Sequence, residues 1–217
     1  FIGREVVSYA AERDLVPDDG APLLMGIDIA RFGDDETVFY FRRGRDARSI
    51  KPLRFRGKNT MDVATHAATA IERLKPDAVF VDGGGVGGGV VDRLKMLGYR
   101  VIEVQSGEKA RDEEKYLNRR AELWGEMRDW LIYGCIPNEE ALIDDLTGPE
   151  YAVHLKGPII LESKDSMKKR GLSSPDDGDA LALTFAEPVS RMDAATARRM
   201  NRMRGMVADS DYDVFST

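Results

Sequence analysis

Three aspartates, Asp28, Asp82 and Asp179, occupy positions from which their side chains could converge. Asp28 and Asp82 each lie at the end of a short apolar run, and neighbouring parallel strands bring their carboxyl ends to one edge of a sheet. Asp179 lies one helical turn after Asp176, so both project from the same face of a helix that could dock at this edge. Clustered carboxylates raise one another's pKa unless a cation lies among them. The sequence therefore predicts a metal site.

The expected metal is magnesium or manganese, because ligation by oxygen alone favours these ions over zinc. Two such ions, about 3.5 to 4 Å apart, could activate a water and stabilise the leaving oxygen of a phosphodiester. Asp28, Asp82 and Asp179 are thus the candidate catalytic acids, and Asp176 is a further candidate ligand. Simpler roles stay open: an aspartate before glycine forms turns, and Asp176 and Asp177 could stabilise a helix N-terminus.

Basic residues form two local groups, although the formal net charge is −6. Nucleic-acid binding depends on local patches more than on total charge. Between Arg42 and Lys58 the chain has eight basic residues and a single acid, and a second basic group precedes the last aspartates. A solvated hairpin would have the same composition. The candidates for contacts with a DNA backbone are Arg42, Arg43, Arg45, Arg48, Lys164, Lys168 and Lys169.

The first part of the chain predicts an antiparallel meander. Leu23 to Ile29 is an apolar run between Pro22 and a polar turn, which indicates a buried first strand. Two further extended segments, Thr37 to Phe41 and Ser49 to Phe55, complete three antiparallel strands. A short helix from Gly3 to Glu12 precedes them. The meander would place Asp28 at the end of its first strand.

The rest of the chain alternates strands and helices, a pattern typical of right-handed parallel crossovers. Its last helix carries Asp176 and Asp179, with Ser174 as the cap and Pro175 in first position. The predicted class is α/β, with a mixed sheet flanked by helices. The predicted elements are a helix from Thr60 to Leu74, a strand from Ala78 to Val81, a helix from Val90 to Leu97, a strand from Arg100 to Val104, helices at Leu117–Tyr133 and Asn138–Leu146, a hairpin at Tyr151–Leu155 and Ile159–Glu162, and a helix ending at Phe185.

Composition excludes several classes of protein. A chain of 217 residues with 42% hydrophobic content can bury one core. A lone cysteine, Cys135, cannot form an intramolecular disulfide and has no zinc-ligand spacing around it. No run approaches the ~18 to 20 apolar residues of a membrane helix, so we expect a cytosolic protein without membrane contact. The glycine stretch from Gly83 to Gly89 lacks the lysine of a phosphate loop, and His66 and His154 belong to no triad.

Three segments together resemble the C-terminal nuclease domain of the large terminase subunit of tailed bacteriophages. They are GIDIARFGDD at residues 26–35, VD at residues 81–82 before the glycine stretch, and SPDDGDAL at residues 174–181. The resemblance covers roughly residues 20 to 188. It implies a ribonuclease-H-like fold and magnesium- or manganese-dependent cutting of concatemeric double-stranded DNA during packaging, in the host cytoplasm. It also implies that Asp28, Asp82 and Asp179 bind the metal and that the hairpin of residues 151–162 lies beside the site.

The same resemblance implies how the chain is divided. Residues 1–20 would be a linker and helix that follow a packaging ATPase, residues 21–188 the nuclease domain, and residues 189–217 a polar tail. No Walker A sequence is present, so we expect cleavage without ATP-driven translocation. The implied partners are double-stranded DNA, the portal protein and the small terminase subunit. The tail could dock the portal, although disorder fits its composition equally well.

Other functions remain open at this point. Gly26-Ile27-Asp28 and Asp82-Gly83-Gly84-Gly85 also echo the phosphate loops of actin-like phosphotransferases, although 217 residues leave little room for two such halves. Resolvases and transposases share the ribonuclease-H-like fold and its acids. A non-catalytic module that docks DNA or the portal is the third alternative.

Overall fold

Five strands form the central sheet of the protein. The computed structural model describes residues 1–30, 35–153 and 157–191. The strands are β1 (Leu23–Asp28), β2 (Thr37–Arg43), β3 (Leu53–Phe55), β4 (Ala78–Asp82) and β5 (Ile102–Val104). Their order is β3-β2-β1-β4-β5, and β1 pairs antiparallel with β2 and parallel with β4. The predicted meander with added parallel strands is confirmed.

Helices and a small hairpin surround this sheet. The helices are α1 (Arg4–Glu12), α2 (Thr60–Leu74), α3 (Gly87–Met96), α4 (Arg119–Leu131), α5 (Glu140–Thr147), α6 (Lys164–Lys169) and α7 (Asp176–Leu183). The hairpin strands are β6 (Tyr151–Val153) and β7 (Ile159–Leu161). The part of the predicted hairpin at Leu155, together with His154, lies outside the described residues. Helix α6 is an addition that the sequence pattern did not predict.

The two faces of the sheet carry separate cores because side chains alternate along each strand. Leu24 on β1 and Phe80 on β4 face a core shared with α1, α4, α5 and α7. Met25 and Ile27 face the opposite core, which α2 and α3 cover. Gly26 and Asp28 follow the alternation of Leu24, and Asp82 follows that of Phe80. Both strand-end aspartates therefore belong to the face on which α7 packs. None of the helices in the described ranges is long and apolar enough to cross a membrane.

Helix α7 begins differently from the sequence prediction. Pro175, not Ser174, is at the N-cap, and no side chain caps it locally. Instead Asp145 of α5 accepts a hydrogen bond on Oδ2 from the backbone N of Asp177 at 3.1 Å. The prediction of a Ser174 cap was wrong because a residue 32 positions away in the sequence takes that role.

Two glycines allow α7 to lie directly on its neighbours. A Cβ added at Gly26 of β1 would lie 2.0 Å from the carbonyl oxygen of Ala180. A Cβ added at Gly178 would lie 2.8 Å from the ring of Trp124 on α4. Backbone and ring atoms cannot yield by that much, so both positions require glycine. The helix that carries Asp176 and Asp179 is thus set between β1 and α4.

Candidate metal centre

Asp28 and Asp82 meet at the carboxyl ends of two paired strands. Ile27 pairs with Val81 in the parallel ladder, so the two aspartates that follow are neighbours across β1 and β4. Asp28 is 5% exposed. Both side chains line one cleft of about 50 Å³, and Asp179 of α7 lines the same cleft. The structure therefore brings together the three aspartates that the sequence singled out.

The ammonium group of Lys164 lies among the carboxylates. Its Nζ is 2.9 Å from Asp28 Oδ2, 3.2 Å from Asp176 Oδ1 and 3.1 Å from Asp179 Oδ2. Lys164 is the first residue of α6, and its side chain is one-third exposed, whereas the carboxylates are nearly buried. This lysine, a predicted DNA contact, lies inside the acidic site. It is the cation that the cluster of acids requires.

Asp179 is held from the other side by helix α4. Arg120 donates from Nε to Asp179 Oδ1 at 2.8 Å and from Nη2 to Oδ2 at 3.3 Å. Trp124 donates from Nε1 to the same Oδ1 at 2.8 Å. Arg120 also donates from Nη1 to the carbonyl of Glu162 at 2.8 Å, at the end of the hairpin. The sequence analysis missed both residues, although their spacing of four on a predicted helix places them on one face.

Asp82 is oriented by its own set of donors. The backbone N of Gly84 donates to Oδ1 at 2.9 Å, and Ser106 Oγ donates to Oδ2 at 2.9 Å. A Cβ at Gly87 would lie 1.8 Å from the carbonyl oxygen of Asp82, so the glycine stretch allows α3 to start close to the strand end. Ser106, which follows β5, is a further site residue that sequence reasoning missed.

Burial and charge set the protonation of the site. Burial raises the pKa of Asp28, and the nearby charge of Asp179 adds to this effect, while Lys164 opposes it. Burial also acts to raise the pKa of Asp179, but Arg120 and Lys164 outweigh it and lower that pKa. Burial acts to lower the pKa of Lys164, yet the surrounding carboxylates raise it, so the lysine is a cation. The site thus stabilises positive charge at the position of Nζ.

The donor set fits a hard divalent cation. Asp28, Asp176 and Asp179 are buried around the Lys164 ammonium, Asp82 lies beside them in the same cleft as Asp28 and Asp179, and all ligating atoms would be oxygen. Across residues 1–30, 35–153 and 157–191, no three carboxylate, histidine or cysteine side chains stand close enough to hold a metal ion as they are placed. The carboxylates instead gather around the Lys164 ammonium. Asp28, Asp82 and Asp179 could hold a metal in the cleft that all three line, with Asp176 as a further ligand.

Arg42, a predicted DNA contact, is a structural residue. It lies on the α7 side of β2 and donates from Nε to Thr184 Oγ1 at 2.8 Å and from Nη2 to Thr184 O at 2.7 Å. Its guanidinium carbon is 4.0 Å from the centre of the Phe185 ring. Burial lowers its pKa to about 10. The guanidinium is therefore turned into the protein and is not available to a DNA backbone.

Arg43, Arg45 and Arg48 lie far from the acids. Strands β1 and β2 run antiparallel, with Leu23 opposite Arg43 and Asp28 opposite Val38. The six residues of β1, with five intervals of about 3.3 Å, separate its two ends by ~17 Å. The three arginines donate to backbone carbonyls there, those of Asp19, Tyr133 and Arg13. The structure does not bring these predicted DNA contacts to the carboxylate cluster.

The later part of the same basic run does return to the site. Thr37 pairs with Phe55, so the residues after Phe55 leave the sheet at the Asp28 end. Arg54 donates from Nε to Asp177 Oδ1 at 2.9 Å and from Nη2 to Oδ2 at 2.6 Å. Asp177 is thereby bound to β3 and is not among the carboxylates that contact Lys164. Of the predicted lysines, Lys168 pairs with Asp35 at 2.9 Å and Lys169 is exposed.

The sheet order, with acids at the ends of β1 and β4 and further acids from a helix packed on the sheet, defines a ribonuclease-H-like fold. Solved structures that share this fold over most of the chain are nuclease domains of phage large terminase subunits. One is the nuclease domain of the large terminase subunit of bacterial virus Sf6, a lysine-to-alanine variant with manganese and beta-thujaplicinol. It has 20% identity and a TM-score of 0.75, and the match covers 87% of this chain and 99% of that one.

Two other terminase nucleases match with lower scores. That of thermophilic phage G20c with bound magnesium has 16% identity and a TM-score of 0.59, covering 79% of this chain and 84% of that chain. That of Thermus phage P74-26 has 13% identity and a TM-score of 0.57, covering 82% and 86%. At sequence identities this low, the structural likeness shows the shared fold and nothing more. No family model and no curated protein matches the chain.

Proposed function

We propose that this chain is a metal-dependent endonuclease that hydrolyses phosphodiesters of double-stranded DNA, as the nuclease part of a phage packaging terminase. The observation that carries the proposal is the position of Lys164, whose ammonium contacts carboxylates of Asp28, Asp176 and Asp179. A site built to hold positive charge among buried oxygens suits catalysis by divalent cations. The solved terminase nucleases with manganese or magnesium support the choice of ions.

Each residue of the site has a distinct part in this proposal. Asp28, Asp82 and Asp179 would hold two magnesium or manganese ions, which supply an activated water and stabilise the leaving oxygen. Asp28 and Asp82 are fixed by the paired strands that carry them. Arg120 and Trp124 orient Asp179, and Ser106 orients Asp82. The precise placement of such ligands is what in-line displacement at phosphorus requires.

The packaging context is part of the proposal. The substrate would be concatemeric DNA in the host cytoplasm, and the portal protein and small terminase subunit would be the partners. Likeness to the terminase nucleases of Sf6 and G20c supports this context. A resolvase or transposase would instead prefer branched DNA or specific DNA ends. Comparing the cleavage of linear duplex with that of a four-way junction therefore separates these activities.

Nicking of supercoiled plasmid with manganese tests the proposed chemistry. We expect Asp82→Asn to lower the cleavage rate at least ~100-fold, because the amide keeps the shape and removes the charge that holds the ion. Asp92→Asn, an exposed position on α3, is the matched control and should cleave like the wild type. Equal cleavage by folded Asp82→Asn protein and wild type would refute the proposal.

A further inference from the structure

Two exposed cations lie beside the metal centre without taking part in it. Arg56 leaves β3 at the Asp28 end of the sheet, and its side chain is 72% exposed. Its Nε lies 2.7 Å from Glu36 Oε1. On α6, Lys168 is 46% exposed, and its Nζ lies 2.9 Å from Asp35 Oδ1. The partners of the two cations are thus adjacent residues of one loop.

This loop is attached to the metal centre. The backbone N of Glu36 donates to Asp176 Oδ2 at 2.8 Å, and Asp176 Oδ1 contacts Lys164. Arg56 after β3 and Lys168 on α6 therefore meet at this loop, next to the carboxylate cluster. Two further exposed cations, Lys58 and Lys169, lie within two residues of them in the sequence. The cations thus border the site where the loop joins it.

Phosphate oxygens could take the place of the two carboxylates that pair with these cations. Ion pairs between exposed side chains contribute little to stability, because water screens the attraction and two long side chains lose freedom. A phosphate group offers several charged oxygens, and the guanidinium fork of an arginine matches them well. Asp35 and Glu36 thus occupy positions that a phosphate could take with little cost to the fold.

We propose that Arg56 and Lys168 together bind the sugar-phosphate backbone of duplex DNA beside the metal centre, where the loop of Asp35 and Glu36 meets it. Asp35 and Glu36 occupy the phosphate positions until DNA displaces them. The choice of DNA as the ligand rests on the proposed nuclease function. This backbone-binding surface replaces Arg42, Arg43, Arg45 and Arg48, which lie at the other end of β2 or are turned inwards.

The salt dependence of DNA binding tests this surface. The probe is a fluorescent duplex oligonucleotide without divalent metal, titrated by anisotropy between about 50 and 200 mM salt. Arg56→Gln and Lys168→Gln should each reduce the slope of log K against log salt by ~1, because each removes one phosphate contact. Glu36→Gln should tighten binding several-fold by removing a competing anion. Arg43→Gln and Arg45→Gln are the matched controls and should keep the wild-type slope.

The outcomes separate this inference from the nuclease proposal. Unchanged slopes in Arg56→Gln and Lys168→Gln would overturn it, even if Asp82→Asn abolishes plasmid nicking. A reduced slope in the Arg43 and Arg45 controls would also overturn it, because the DNA would then lie at the other end of the strands. Failure of the wild-type protein to bind duplex DNA would likewise overturn the inference. Binding that depends on Arg56 and Lys168 without any manganese-dependent cleavage would support the surface and refute only the nuclease.

Discussion

Lys164 Nζ lies 2.9 Å from Asp28 Oδ2, closer than to either of the other two carboxylates it contacts. This pair joins the first residue of α6 to the last residue of β1. Short helix α6 is therefore attached to the sheet through the centre of the acidic site. An ion that takes the place of the ammonium must also release α6 from this contact.

Lys164→Ala should make the stability of the fold depend on manganese. Without metal, three buried carboxylates lose their common cation, and we expect the free energy of unfolding to fall by about 3 to 5 kcal/mol. Manganese should restore most of this loss. Thermal unfolding with and without manganese measures both effects, with exposed Lys169→Ala as the control. The expectation fails if manganese raises the melting temperature of Lys164→Ala no more than that of the wild type.

Gly26→Ala should displace α7 from the sheet. The added methyl group would lie 2.0 Å from the carbonyl oxygen of Ala180, and neither backbone can move freely. We expect a loss of about 2 to 4 kcal/mol in stability, and cleavage reduced well beyond the unfolded fraction because Asp179 moves with the helix. Urea unfolding and plasmid nicking test this together. Gly3→Ala, which meets nothing within 4 Å, is the matched control.

Arg42→Met should destabilise the protein and leave DNA binding unchanged. Methionine keeps an apolar stem beside Phe185 but cannot donate hydrogen bonds. The carbonyl and hydroxyl oxygens of Thr184 therefore lose their charged donor. We expect a loss of about 2 kcal/mol. Urea unfolding gives the stability, and DNA anisotropy gives the salt slope. A reduced salt slope with normal stability would show instead that Arg42 contacts the DNA backbone.

Asp145→Asn should change how stability varies with pH. Burial, together with the charge of Asp177, raises the pKa of Asp145 from 3.8 to about 8. The folded protein therefore keeps a proton that the unfolded chain releases, and stability falls as pH rises from about 4 to 8. Asparagine still accepts from the backbone of Asp177 and does not titrate.

The variant should exceed the wild type by about 1 to 3 kcal/mol in unfolding free energy at pH 8, and equal it near pH 4. Denaturant unfolding at the two pH values checks the sign. A variant that is less stable than the wild type at pH 8 would contradict it.

The acids of the site could be predicted because local pattern determines their placement. Asp28 and Asp82 end apolar strands, and the one-turn spacing of Asp176 and Asp179 holds on any helix. The face of β2 on which Arg42 lies could also have been predicted, since Val38, Tyr40 and Arg42 alternate towards one core, whereas its partner Thr184 could not. The prediction of a DNA contact at Arg42 rested on the run of basic residues and not on this alternation.

The contacts that complete the site depend on tertiary structure. Helix α6 has six residues, too few for hydrophobic periodicity, and places Lys164 in the cluster through contacts more than ten residues away. Asp145 replaces the local cap of α7 from another helix. Which part of the basic run lies near the acids also depends on which end of an antiparallel strand pair lies beside Asp28. Charge spacing along the sequence does not contain that information.

A crystal structure of the protein grown with manganese tests the central claim most directly. Anomalous scattering locates the ions without assumptions about the density. We predict manganese bound by carboxylate oxygens of Asp28, Asp82 and Asp179, with Lys164 Nζ moved out of the cluster. An ammonium that keeps its contacts with Asp28 and Asp179, with no manganese at those carboxylates at saturating concentration, would contradict the metal centre.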